Sequence, residues 1–191
     1  MSKGRLEAFS DGVIAILITI LVLALVPPKG TDLDALRELL PVFLAYALSF
    51  VFLAIYWNNH HHLFQAARAV DGRVLWANMH LLFWLSLLPF VTGWMGESGF
   101  PPVPVATYGI VCFVAGGSYY WLERTLVRLE PEEGPLHAAI GADWKGRVSL
   151  VVYAVGVVGA LFAPPIALAC YVLVAAMWFV PDARIERALG R

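Results

Sequence analysis

Charged side chains are scarce in this sequence: Asp, Glu, Lys and Arg make up 14% of its 191 residues, where a soluble domain carries about 25%. That shortage excludes a water-facing shell of ordinary extent. Only two cysteines are present, Cys112 and Cys170, and both lie inside apolar runs. Neither a disulfide framework nor a paired-cysteine metal site is readable from them. Glycine-rich phosphate loops are missing too, which removes the usual nucleotide signatures. The balance of 13 basic and 14 acidic residues leaves a net charge of -1, so there is no basic face for nucleic acid.

What the chain has instead is apolar surface. Hydrophobic residues make up 60% of it, and its mean hydropathy is +0.74. Such a composition defines an integral membrane protein. Apolar runs fall at about residues 9–27, 39–59, 74–96, 103–125, 147–163 and 165–181, each near the length a helix needs to cross the bilayer, the last two being short. The expected fold is therefore all-α, with six transmembrane helices in a single domain over residues 1–191. Pro27 and Pro28 should end the first span, and Pro41 is tolerated near the start of the second. Pro89 should kink the third, Gly116-Gly117 should loosen the fourth, and Ala163-Pro164-Pro165 should turn the chain between the last two. Lys3 and Arg5 before an apolar run resemble a signal peptide, but Asp11 interrupts the run and Pro27-Pro28-Lys29 makes a poor cleavage site.

Basic residues give the orientation. Lys3, Arg5, Arg68, Arg73, Arg124, Arg128, Lys145, Arg147, Arg184, Arg187 and Arg191 fall on one side of a six-span arrangement; Lys29 and Arg37 fall on the other. This bias predicts a multi-pass protein of the cell membrane with both termini cytoplasmic. The acidic stretch from Leu129 to Asp143, with Glu130, Glu132 and Glu133, reads as a solvated connector on the same side.

The first span is the most informative. An acid at bilayer depth costs about 2.5–3.5 kcal/mol on insertion scales, yet Asp11 stands at its mouth. With Ile16 at zero on a helical wheel, Ile20 lies at about 40° and Leu23 at about 340°. Phe9 and Gly12 fall on the same side, Thr19 on its flank at about 300°, and Asp11 at about 220°. The stripe Ile16, Ile20, Leu23 therefore faces lipid, other helices or a pore, and periodicity alone does not choose. Ser10 has an ordinary reading as a helix cap, with Asp11 favoured by the helix dipole.

These residues carry a resemblance. Arg5, Phe9, Ser10 and Asp11 fit the arginine, three variable residues, Phe-Ser-Asp motif of the transmembrane protein 175 family of potassium channels. Trp57-Asn-Asn-His60-His61-His62-Leu63-Phe64 is similar to that family's Trp-x-x-His-His segment, and Asn78 followed by Leu87-Leu88-Pro89-Phe90 to its third-span signature. The likeness covers the first half; the second agrees in span count. It implies a potassium-selective channel built as a homotetramer, with the first helix of each subunit around the axis. It also implies a hydrophobic constriction at Ile16, extended by Ile20 and Leu23, with Thr19 as the polar contributor to selectivity.

No Thr-Val-Gly-Tyr-Gly carbonyl filter is present; Thr107-Tyr108-Gly109 is the sequence's only Thr-Tyr-Gly. A ring of isoleucines instead gates by dewetting. When dilated, it favours an ion that gives up water easily, and potassium holds its shell less tightly than sodium. Arg5 and Asp11 are six residues apart and cannot pair on one helix face, so each needs partners elsewhere. Trp57, His60 and Asn78 are the candidates, and contacts to them would set the rotation of the first helix. His60, His61 and His62 project about 100° apart and cannot share one ion on a straight helix, so no metal is expected, and the roles of His61, His62 and His80 stay open. Neither a catalytic residue nor a cofactor is implied beyond the permeant potassium. The competing classes are a proton-coupled carrier, which would show repeats or broken helices, and a membrane enzyme, which would need a convergent catalytic cluster.

Overall fold

The structure is a computed structural model that describes residues 2–131 and 144–179. Glu132, Glu133 and Asp143 of the expected connector lie outside the described residues, as do Arg184, Arg187 and Arg191. Every element among the described residues is helical: α1 Lys3–Val22, α2 Leu33–Glu38, α3 Leu40–Ala66, α4 Gly72–Ser86, α5 Leu88–Glu97, α6 Pro102–Val127, α7 Trp144–Ala160 and α8 Pro164–Phe179. Among the described residues three helical stretches are long and apolar enough to cross a membrane: Leu40–Ala66, Gly72–Glu97 and Pro102–Val127. Helix α8 is apolar but shorter, and Lys3, Arg5, Glu7 and Asp11 occupy the first half of α1.

Helix bounds differ from the expected spans for local reasons. Helix α1 starts at Lys3 and stops at Val22, earlier at both ends than 9–27. Beyond it Leu23, Ala24 and Leu25 donate to Ile20, Leu21 and Val22 carbonyls three residues back, a tighter winding than α-helix. Pro27 explains this, because it lacks an N–H and steers Val26 out of the α region. Helix α3 runs seven residues past the expected 59, to Ala66. Its polar end continues as helix because partners exist for it, among them Asn59 Nδ2 donating to the Ile55 carbonyl at 2.9 Å.

The third expected span breaks at Leu87 into α4 and α5. Pro89 cannot donate to the Leu85 carbonyl, so the ladder loses a rung there. Asp71 begins α4 by accepting from Arg73 and Val74 N–H, both at 2.9 Å. Helix α6 passes through Gly116-Gly117 without interruption, against the expected loosening. Gly116 faces Leu150, Tyr56 and Tyr153 at ordinary contact range, and packing against α3 and α7 holds the backbone helical.

An aromatic core joins α3, α6, α7 and α8. Phe52 meets Tyr108 and Tyr153 at ring centroid distances of 6.5 and 6.1 Å, and Tyr171 meets Tyr108 and Tyr153 at 5.8 and 6.1 Å. Gly156 lets the Tyr171 ring approach; a Cβ there would stand 2.6 Å from Tyr171 Cε1. Three hydroxyls buried here share a run of hydrogen bonds. Ser49 Oγ lies 2.6 Å from Thr92 Oγ1 and 3.0 Å from Tyr108 Oη, as buried polar groups require. Helix α1 packs outside this core, against α3, α4 and α5.

Candidate pore-lining site

Helix α1 has two opposed faces. Leu6, Ile14, Leu17 and Leu21 are 2%, 0%, 6% and 1% exposed, whereas Phe9, Ile16, Ile20 and Leu23 are 47%, 58%, 42% and 75% exposed. The aliphatic stripe read from the sequence is thus the face that the rest of the chain leaves uncovered. Thr19 is exposed beside it. Its hydroxyl donates to the Ile16 carbonyl at 2.8 Å, which spends the proton inside the helix and leaves the oxygen lone pairs for an outside donor or cation.

The inward face changes character along its length. On the wheel centred at Ile16, Ser10, Lys3, Glu7 and Asp11 fall at about 120°, 140°, 180° and 220°, in line with buried Ile14 and Leu17. These polar groups meet α3 and α4. Ser10 Oγ donates to the Leu6 carbonyl at 2.9 Å and accepts from Asn78 Nδ2 at 2.9 Å. Asn78 Oδ1 lies 2.8 Å from His60 Nε2, and His60 is fully buried with its ring stacked on Phe64 at 4.4 Å. Asp11 Oδ1 accepts from Trp57 Nε1 at 3.0 Å. Of the seven residues expected in the motif and network, five therefore pair, in two branches, Ser10-Asn78-His60 and Asp11-Trp57, while Phe9 lies exposed on the stripe side.

Arg5 does not join them. It is exposed and has no hydrogen-bond or ion-pair partner among the described residues, contrary to the expectation that it needs one on another helix. The wheel gives the reason: Arg5 falls at about 340°, on the stripe side with Leu23. It borders an open groove with Phe9, Trp76 and Met79.

Two contacts were missed from sequence. Lys3 Nζ donates to the Phe64 and Ala67 carbonyls at 2.9 and 3.0 Å, satisfying acceptors that the C-terminus of α3 leaves open. Glu7 Oε1 stands 4.0 Å from His61 Nδ1. The spacing of Lys3, Glu7 and Asp11, four residues apart on one side of α1, was the signal that could have found them. The consecutive histidines diverge as helical geometry demands. His60 turns to Asn78, and His61 Nε2 lies 2.8 Å from Gln65 Nε2. His80 lies elsewhere, its Nδ1 2.8 Å from Ser118 Oγ and its Nε2 3.3 Å from Trp84 Nε1. No group of three His, Cys, Asp or Glu among the described residues is placed to hold a metal ion.

An all-helical membrane protein with an uncovered aliphatic face on its first helix and a polar clasp behind it is the class defined by these features. The chain belongs to the TMEM175 family. Residues 5–89 match the family described as the endosomal/lysosomal potassium channel TMEM175. A potassium channel of Chryseobacterium sp. (strain P1-3) is 51% identical over 189 residues, which span 99% of this chain and 98% of that one. A potassium channel of Streptomyces collinus is 37% identical over 99 residues, covering 50% of this chain and 48% of that one. Among solved structures, the crystal structure of a lysosomal potassium-selective channel TMEM175 homolog from Chamaesiphon minutus is similar with a TM-score of 0.79 and 25% identity, over 94% of this chain and 97% of that chain. The family and these relatives are ion channels, not enzymes.

Proposed function

We propose that this protein is a potassium channel of the cell membrane in which α1 from each of four identical subunits surrounds the permeation path. Ile16 is its tightest collar, with Ile20 and Leu23 prolonging the dry zone and Thr19 offering hydroxyl oxygens beside it. Six spans with both termini cytoplasmic complete the arrangement. The reading is supported above all by the outward turn of the stripe: Ile16 is 58% exposed while Ile14, two residues away, is fully buried. A subunit that buries the other side of α1 leaves this face for symmetry copies or for lipid, and kinship with channels favours the copies. Homotetrameric closure places identical aliphatic side chains in a ring, which excludes water when narrow and admits partly dehydrated ions when wide.

The Ser10-Asn78-His60 and Asp11-Trp57 branches fix the rotation of α1 that this function needs. A slip of one residue would turn the helix by about 100° and replace the Ile16 stripe with another face. Reconstituted liposomes test the proposal. Potassium flux through the wild type should run down its gradient without saturation, unlike that of a carrier. Ile16→Ala and Ile16→Asn should raise flux and erode the preference over sodium. Equal flux and equal preference across all three would place the barrier elsewhere.

A further inference from the structure

One peptide group at the corner between α3 and α4 is held from both sides by charged side chains from elsewhere in the chain. The Ala67 carbonyl accepts from Lys3 Nζ at 3.0 Å, and the N–H across the same peptide bond, that of Arg68, donates to Glu130 Oε1 at 2.7 Å. Lys3 is the first residue of α1 and also reaches the Phe64 carbonyl at 2.9 Å, so its cation sits at the C-terminus of α3, where the helix dipole favours it. Glu130 lies three residues past Val127, the last residue of α6. The corner is enclosed: Ala66, Ala67 and Glu130 are all buried. Burying a carboxylate is costly, and the partners Glu130 gains are this one backbone N–H and the exposed Arg68 guanidinium, 3.8 Å from Oε2.

We propose that Lys3 and Glu130 are positioning residues for the permeation path: they clamp the Ala67–Arg68 peptide between them and thereby set the tilt of α1, on which the width of the Ile16 collar depends. The inference rests on the pore reading of α1. Two anchors are needed to fix the axis of a helix. The Ser10 and Asp11 contacts fix the rotation of α1 and one level along it, but a helix held at one level can pivot there. Lys3 supplies a second level, seven residues or about 10 Å nearer the N-terminus at 1.5 Å per residue. Its grip is only as firm as the corner it holds. Because a peptide group is planar, a bond to the Arg68 N–H also restrains the Ala67 carbonyl, and a carboxylate on the one polarises the other toward a cation. Without Glu130 the peptide can swing about its flanking bonds and carry the Ala67 oxygen away from Lys3.

Potassium and sodium flux from liposomes holding the full chain, normalised to the protein incorporated, tests this. Lys3→Met and Glu130→Ala should each lower the potassium-to-sodium ratio about threefold, since the restraint lost is that of one ordinary hydrogen bond. The double variant should fall no further than Lys3→Met alone, because both residues act on one peptide. Glu130→Gln keeps an oxygen within reach of the Arg68 N–H and should retain most of the wild-type ratio, whereas Glu130→Asp, one methylene shorter, should lose it as Glu130→Ala does. A role confined to stability would lower the melting temperature in detergent and leave the ratio alone. An unchanged ratio in Lys3→Met or Glu130→Ala, an additive double variant, or a loss in Glu130→Gln as large as in Glu130→Ala would each overturn the proposal. Ile16→Asn, run alongside, separates the two readings. A wild-type ratio there removes the pore reading and this inference with it; a shifted ratio there beside unshifted Lys3 and Glu130 variants overturns the clamp alone. If Glu130→Ala does not yield monodisperse protein, Glu130→Asp takes its place in every comparison.

Discussion

Asn78 and Ser10 fix each other's hydrogen-bond roles. The Ser10 hydroxyl gives its proton to the Leu6 carbonyl, so it can only accept from Asn78, and the Asn78 amide nitrogen must face it at 2.9 Å. Asn78 Oδ1 then faces His60 Nε2 at 2.8 Å, which obliges His60 to carry its proton on Nε2. One amide on α4 thereby clamps α1 and α3 together and selects the tautomer of a buried imidazole.

Asn78→Ala should leave the His60 N–H without its acceptor and Ser10 without its donor. We expect a loss of about 2–3 kcal/mol, each buried group left unpaired costing about 1–3. Thermal unfolding in detergent measures it. Ser10→Ala, which leaves the bond between Asn78 and the buried His60 in place, should cost less than Asn78→Ala; the reverse order would refute the clamp.

Asp11 and Trp57 are a partly exposed pair, so their bond is worth less to stability than to geometry. Asp11→Asn keeps an oxygen for Trp57 Nε1 and should retain most of the potassium flux. Asp11→Ala and Trp57→Phe should lower assembly or current together, read by size-exclusion chromatography and liposome flux. If the double variant were worse than either alone by the sum of the two effects, the residues would be acting independently.

Thr19→Val replaces the exposed hydroxyl by a methyl of similar shape. Its proton is already spent on the Ile16 carbonyl, so the helix should keep its melting temperature within about 0.5 kcal/mol of stability. The potassium-to-sodium flux ratio should fall by a few-fold, because the variant offers no oxygen to a dehydrated ion. An unchanged ratio would assign selectivity to the aliphatic collar alone.

Gly109 on α6 sits where the Tyr171 hydroxyl comes closest, and any Cβ there would overlap it. Gly109→Ala should destabilise by about 1–3 kcal/mol, the usual cost of overpacking. Tyr171→Phe removes the clashing oxygen along with its bond to the Val105 carbonyl. Combined with Gly109→Ala, it should restore part of the lost stability, as thermal unfolding would record.

Prolines made some boundaries readable and misled on others. Pro89 announced the break between α4 and α5, because a missing donor disrupts a helix whatever surrounds it. Pro27 marked the end of the first span too late, since its influence propagates back to Leu23 through the tighter turns it imposes. Gly116-Gly117 predicted looseness that the structure does not have. Glycine lowers the intrinsic preference for helix, but Tyr56, Leu150 and Tyr153 pack against that side of α6.

Periodicity and hydropathy by themselves determined that the chain is helical and membrane-bound, and that Ile16, Ile20 and Leu23 share one side of the first helix. These follow from the period of 3.6 residues and from the cost of charge in lipid, both of which act locally along the chain. Which side of α1 is covered was decided only by tertiary structure, because it depends on the distant Trp57, His60 and Asn78 reaching Asp11 and Ser10. The same reason explains Arg5, whose neighbours in the sequence say nothing of the side on which other helices pack.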